Sequence, residues 1–97
     1  MAKSFNKDPN ANLDYEIDWQ TPTKPYLAVG ETIVDSSWTV SPVGLTMGAD
    51  LFTNTTTTIW LSGGTVDTRY TVSNKITTST GRIDERSFYV YITELFL

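Results

Sequence analysis

The stretch TSTGRIDERS crowds Arg82, Asp84, Glu85 and Arg86 just after Gly81, the densest charge in the chain. Two carboxylates can divide the work of general acid and base when both aim at one reacting group. Asp84 and Glu85 are adjacent, and neighbours on a strand or turn point apart. Arg82 and Arg86 are therefore expected to neutralise them rather than to face a substrate. Asp14, Glu16 and Asp18 of DYEIDW form a second acidic set. Calcium takes about six to eight oxygens, converging from several segments, which one straight strand does not supply. Those three acids read as a solvated strand face. The chain has neither histidine nor cysteine, so the commonest general base, thiolate nucleophile and zinc ligands are all missing. The residues predict no enzyme, no cofactor and no metal site.

The elements that carry these residues read as strands. NLDYEIDW alternates, with Leu13, Tyr15, Ile17 and Trp19 on one side and the three acids on the other, the period of a half-buried strand. QTPTKPYLAVGE, with Pro22 and Pro25, reads as a turn or edge connection. TIVDSSWTV is expected to set Val34, Trp38 and Val40 on one face before Pro42 and Gly44 break it. LTMGADLF is a weaker apolar segment whose Gly48 argues against a long helix. In TTTTIWLSGG, Ile59 and Leu61 share a face and Trp60 takes the other. The threonines of Thr53–Thr58 read as exposed strand surface. Tyr70, Val72 and Ile76 are inward in the next segment, and Phe88, Val90 and Ile92 in the last, leaving Tyr89 and Tyr91 opposite. GRIDERS lies between these two segments, so it reads as a hairpin tip with Gly81 in the turn.

No segment holds a helical period. About five to seven short strands between Gly, Pro and Asn turns predict an all-β sandwich. Tyr70 two residues before Val72, with Trp38 at the centre, matches the spacing of a small immunoglobulin-like or fibronectin-like β-sandwich. The expected organisation is an extended N-terminal arm over residues 1–12, ordered by a partner, and a sandwich over 13–97.

Trp60, Tyr89 and Tyr91 raise three readings: a partner or subunit interface, ordinary core, and a carbohydrate platform. The ending Leu95-Phe96-Leu97 needs somewhere to be buried, and Phe5 is the one aromatic of the arm. The candidate interface is thus Phe5, Trp60, Arg82, Asp84, Glu85, Arg86, Tyr89, Tyr91, Leu95, Phe96 and Leu97. The net charge of −4 and the scattered basic residues argue against a nucleic-acid partner. No run is long enough to span a bilayer and MAKSFNKDPN lacks a signal-peptide core, so no membrane partner is expected.

Three pieces resemble a known family: KDPNANLDYEIDW, GETIVDSSWTV and TTIWLSGGTVDTRYTVSNKITTSTGRIDERSFYVYI. The combination of WLSGGT, Y-T-V-x-N-x-I-T-T and GR-x-D-E-R-S is similar to small virion structural proteins of tailed bacteriophages, the fibre–tail adaptor or head–tail region proteins. The resemblance runs from Lys7 to Ile92. It implies a non-catalytic assembly module at the neck, tail or fibre attachment, present in many copies. Its partners would be other phage virion proteins, and it would reside in the virion after synthesis in the bacterial cytoplasm. Under it the GRIDERS end docks a neighbouring subunit. Capsid decoration and a carbohydrate-binding sandwich remain as alternatives.

Overall fold

The computed structural model describes residues 3–20 and 26–95, which hold seven strands. These are β1 (Ser4–Lys7), β2 (Asn12–Asp18), β3 (Ile33–Ser41), β4 (Leu45–Phe52), β5 (Thr56–Gly63), β6 (Arg69–Thr78) and β7 (Ile83–Ile92). One sheet has the order β1-β7-β6-β3 and the other β2-β5-β4. β1 runs parallel to β7, and the other pairings are antiparallel. The chain is all-β with two sheets, as its alternation predicts.

Alternation also decides what faces inward. Ile59 and Leu61 of β5 meet Tyr70 and Val72 of β6 and Phe88, Val90 and Ile92 of β7 in one buried cluster, joined by Tyr15, Trp38 and Leu45. A smaller cluster of Trp19, Leu27, Ile33 and Ile76 closes one end. Tyr70 Oη accepts the backbone N–H of Thr65 at 3.0 Å, so the tyrosine ties the start of β6 to the loop before it. Gly44 makes room for that hydroxyl: a Cβ there would come within 2.7 Å of Tyr70 Oη.

A polar side chain sits in the inward row of β6, between Val72 and Ile76. Asn74 is fully buried. Its Oδ1 accepts from Thr57 Oγ1 at 2.7 Å and from Trp19 Nε1 at 3.3 Å. Its Nδ2 donates to Ser36 Oγ at 2.9 Å and to the Ser37 carbonyl at 3.0 Å. The amide thereby uses its full donor and acceptor capacity.

Several sequence expectations change. Val34 is exposed and Ile33 buried in its place, because a bulge between Ile33 and Asp35 shifts the parity of β3. The threonine tract is not all surface. Thr57 and Thr58 are buried, and Thr53 Oγ1 accepts the N–H groups of Thr55 and Thr56 at 3.3 and 3.0 Å in the β4–β5 turn. LTMGADLF is a full strand, bulged between Met47 and Asp50.

The described part of the expected arm over residues 1–12 packs on the sandwich. Ser4–Lys7 forms the edge strand β1 against β7, and Asn12 already opens β2. Lys7 is buried, and its Nζ donates to the carbonyls of Asp8 at 2.9 Å and Gly63 at 2.8 Å. Burial pushes its pKa down, although nearby Asp8 opposes the shift. Pro22 and Pro25, expected in a turn or edge connection, lie outside the described residues.

Asn74→Ala should lower the unfolding free energy by about 1–3 kcal/mol, because the buried Thr57 hydroxyl loses its acceptor while Trp19 Nε1 keeps its 3.2 Å bond to Thr57 Oγ1. Urea unfolding measures this, and an unchanged midpoint would refute the role given to the amide. Two tyrosines provide a paired test. Tyr70→Phe removes the bond to Thr65 and should cost about 1–3 kcal/mol. Tyr15 Oη is buried with no hydrogen-bond partner among the described residues, so Tyr15→Phe should be neutral or stabilising in the same titration.

Candidate interaction surfaces

The charged hairpin is organised by a residue outside it. Glu31 lies in the loop before β3, where Gly30 adopts φ +81°. Its side chain is 1% exposed. Oε2 accepts from Thr78 Oγ1 at 2.5 Å and from Thr80 Oγ1 at 2.6 Å. Oε1 accepts the Ala28 N–H at 2.9 Å and Arg82 Nη1 at 3.1 Å. The Thr78 and Thr80 hydroxyls, then the Ala28 amide, and lastly the Arg82 charge hold the carboxyl at a pKa of about 2. Two more bonds join the same two loops: the Ser79 N–H donates to Thr32 O at 2.8 Å, and the Thr32 N–H donates to Ser79 Oγ at 3.0 Å.

The hairpin tip is residues 79–82, with Gly81 at φ +89° and its N–H bonded to Thr78 O at 2.9 Å, whereas Ile83–Ser87 of the expected GRIDERS tip already belong to β7 and pair with β6. The GRIDERS arginines do not do what the sequence suggests. Arg82 pairs with Glu31, and its guanidinium lies 4.4 Å from the centroid of the Tyr26 ring. Arg86 lies 4.5 Å over Trp19 and 5.6 Å from Tyr26. Asp84 Oδ1 accepts the Glu85 N–H at 2.8 Å, and Glu85 stands across from Lys75 on the neighbouring strand. The two carboxylates point to opposite faces of β7, so they form no acid–base pair. Arginine favours aromatic faces because its planar, weakly hydrated cation stacks on a π-system.

The outward aromatics are on different sides of the molecule. Tyr89 and Tyr91 are half-buried on the outer face of the four-stranded sheet. Arg69 covers Tyr89 at 4.6 Å from its centroid. Tyr91 Oη donates to Asp67 Oδ1 at 3.1 Å, and that bond raises its pKa. Trp60 lies on the outer face of the three-stranded sheet, 37% exposed. The three rings therefore make no common platform for a sugar.

Phe5 faces inward from β1 and packs edge-on against Tyr15 and Phe88, with centroids 5.2 and 5.6 Å away. Leu95 is exposed, and its N–H donates to Asp8 Oδ2 at 3.1 Å. Phe96 and Leu97 lie outside the described residues. Among the described residues no three His, Cys, Asp or Glu side chains gather as metal ligands.

The described residues thus present a pinned charged end and separate aromatic faces on two sheets. A family model, Podophage GP4 fiber-tail adaptor protein gp77, matches residues 7–91. The chain belongs to this fibre–tail adaptor family. No curated protein matches the chain. Within the adaptor family match fall Glu31, Asn74, the hairpin tip and all of β2–β6. Phe5 and Leu95 lie beyond its limits. Sequence reasoning missed Glu31 and Tyr26, because a lone acid and a lone tyrosine in a proline-bounded loop show no periodicity.

The depressed pKa of Glu31 makes acid stability a test of this latch. A carboxyl lowered in the folded state contributes stability that is complete above the unfolded value and disappears as pH falls through the folded one. The contribution should thus be intact above pH 4.5 and fade toward about 2. Thermal melting of the parent should fall across that window, and Glu31→Gln should flatten the fall. An identical pH profile for both proteins would refute the latch.

Proposed function

We propose that this chain is a non-catalytic structural module of a phage virion, joining fibre and tail components by binding other virion proteins. Family membership over residues 7–91 is the observation that carries this reading. The chemistry agrees with it. The two most clustered carboxylates face apart, the arginines are held by Glu31 and aromatic rings, and what remains outward are flat sheet faces and a braced hairpin end.

The fold within this reading is immunoglobulin-like. Two features support it. The sheets have strand orders β1-β7-β6-β3 and β2-β5-β4, with the first strand parallel to the last. Tyr70, two residues before the central Val72, bonds back to the Thr65 amide, as the tyrosine at the corner of immunoglobulin-like sandwiches does.

The interface residues we assign to partners are Arg82 and Arg86 with Asp84 and Glu85 at the hairpin end, Tyr89 and Tyr91 on one sheet, and Trp60 on the other. Phe5 and Leu95–Leu97 complete the set. Exposed charges at such a rim set orientation and register more than affinity.

The test is electron cryo-microscopy of particles made with and without this gene. Density for a small β-sandwich at the fibre attachment should vanish in the deletion and return when the gene is supplied in trans. Density elsewhere, on the capsid surface for instance, would favour the decoration reading instead. Arg82→Ser with Arg86→Ser should reduce incorporation while melting remains cooperative, and parental incorporation would remove the hairpin end from the interface.

A further inference from the structure

The net charge of this chain is carried by one sheet. β2, β4 and β5 contain Asp14, Glu16, Asp18 and Asp50 and no Lys or Arg. The chain has eleven acids and seven bases. With four acids on the three-stranded sheet, the seven others balance the seven bases, so the −4 of the molecule resides on this sheet.

The register places three of these four acids on one open face beside apolar surface, whereas Asp50 stands across from the core-facing Ile59. Asp14 stands across from Trp60, Glu16 from Thr58 and Asp18 from Thr56. Leu51 of β4 stands across from Thr58 on its other side. Tyr15 and Ile59, a neighbouring pair in the ladder, face the core, so these residues point away from it. Trp60 and Leu51 are 37% and 52% exposed, and Asp14, Glu16 and Asp18 are all exposed. Gly48 keeps the approach low beside the indole: a Cβ there would lie 3.4 Å from Trp60 Cβ. The result is an apolar centre bordered by an acidic rail along the edge strand β2. Alternate residues of a strand are about 6.6–6.8 Å apart, a spacing that Lys or Arg at alternate positions of an extended segment can match.

We infer that the outer face of the β2-β5-β4 sheet docks a cationic protein partner, whose basic side chains meet Asp14, Glu16 and Asp18 and whose apolar side chains cover Trp60 and Leu51. The inference rests on the adaptor reading above and names the chemistry of one of its partners. Charge complementarity excludes a second copy of this face from the role, since two faces that each carry three acids repel. The opposite sheet is no better match. It carries Arg69 and Lys75 outward, but Lys75 faces Glu85 and Arg69 is spent on Tyr89.

The experiment uses phage particles lacking this gene as the probe and purified full-length chain as the ligand. Attachment is followed as rate and as bound amount. Asp14→Asn, Glu16→Gln and Asp18→Asn are combined in one variant; asparagine at 18 keeps an acceptor for the Gln20 N–H. A second variant is Trp60→Thr, and a third, Lys75→Gln with Glu85→Gln, alters the opposite face. All are checked for parental melting, and Asp14→Lys with Glu16→Lys serves if the first variant melts early. The triple variant should attach at least about tenfold more slowly at low salt, since electrostatic steering changes on-rates by about 10- to 1000-fold. The difference should close between about 0.1 and 1 M salt, as the screening length falls from about 10 to 3 Å. Trp60→Thr should dissociate faster, and the opposite-face variant should behave as the parent. Attachment of the triple variant and of Trp60→Thr at parental rates overturns this docking face and leaves the adaptor reading standing. A parent chain that fails to attach overturns both. Concentration-dependent self-association abolished by the triple variant would assign the face to a second copy and overturn the inference as well.

Discussion

The two sheets meet through one saturated amide. Asn74 lies on β6 in the four-stranded sheet, and its partners come from β3 in the same sheet, from β5 in the other, and from Trp19 just beyond β2. An unpaired amide in that position would cost more than the bonds return. Any sliding of one sheet over the other breaks several bonds at once and leaves those groups buried. Apolar side chains alone tolerate such shifts far better, because their attraction has little direction. The amide also divides the interior. The large cluster around Val72 lies on one side and the small one around Ile76 on the other.

The smaller cluster would be a poor end-closure by itself. It is completed by loops, and loops need polar anchoring because their backbone groups do not satisfy one another. Glu31 supplies that anchoring, gathering Thr78, Thr80, Ala28 and Arg82 about one carboxylate. Arg82 and Arg86 then roof Tyr26 and Trp19. The hairpin that is richest in charge is therefore held in a set orientation at one end of the molecule. At the other end the buried Lys7 performs a similar task, joining the β1–β2 turn to Gly63 at the close of β5. Between these pinned ends the outer sheet faces present the aromatic and acidic surface of the chain.

Much of this was legible from residue order. Six alternating or apolar segments became β2–β7, and the inward rows of β5, β6 and β7 carry the residues that alternation assigns to them. Tyr70 and Trp38 are buried where the spacing puts them. The hairpin at Gly81 follows from a glycine between two such rows. These features are local: period two depends only on the geometry of an extended chain, and each strand declares its own faces.

What the order of residues did not contain is whatever depends on which strands become neighbours. A bulge reverses the faces of Val34 and Ile33 because the partner strand fixes the register. Thr57 is buried because Asn74, on another sheet, reaches its hydroxyl. Arg82 finds Glu31, fifty-one positions away, instead of the acids beside it. Trp60 and Tyr89 alternate alike in sequence and end on opposite sides of the molecule. Local pattern sets the inside and outside of each strand, whereas burial, pairing and shared surfaces are properties of strands brought together, and only the packed sandwich decides them.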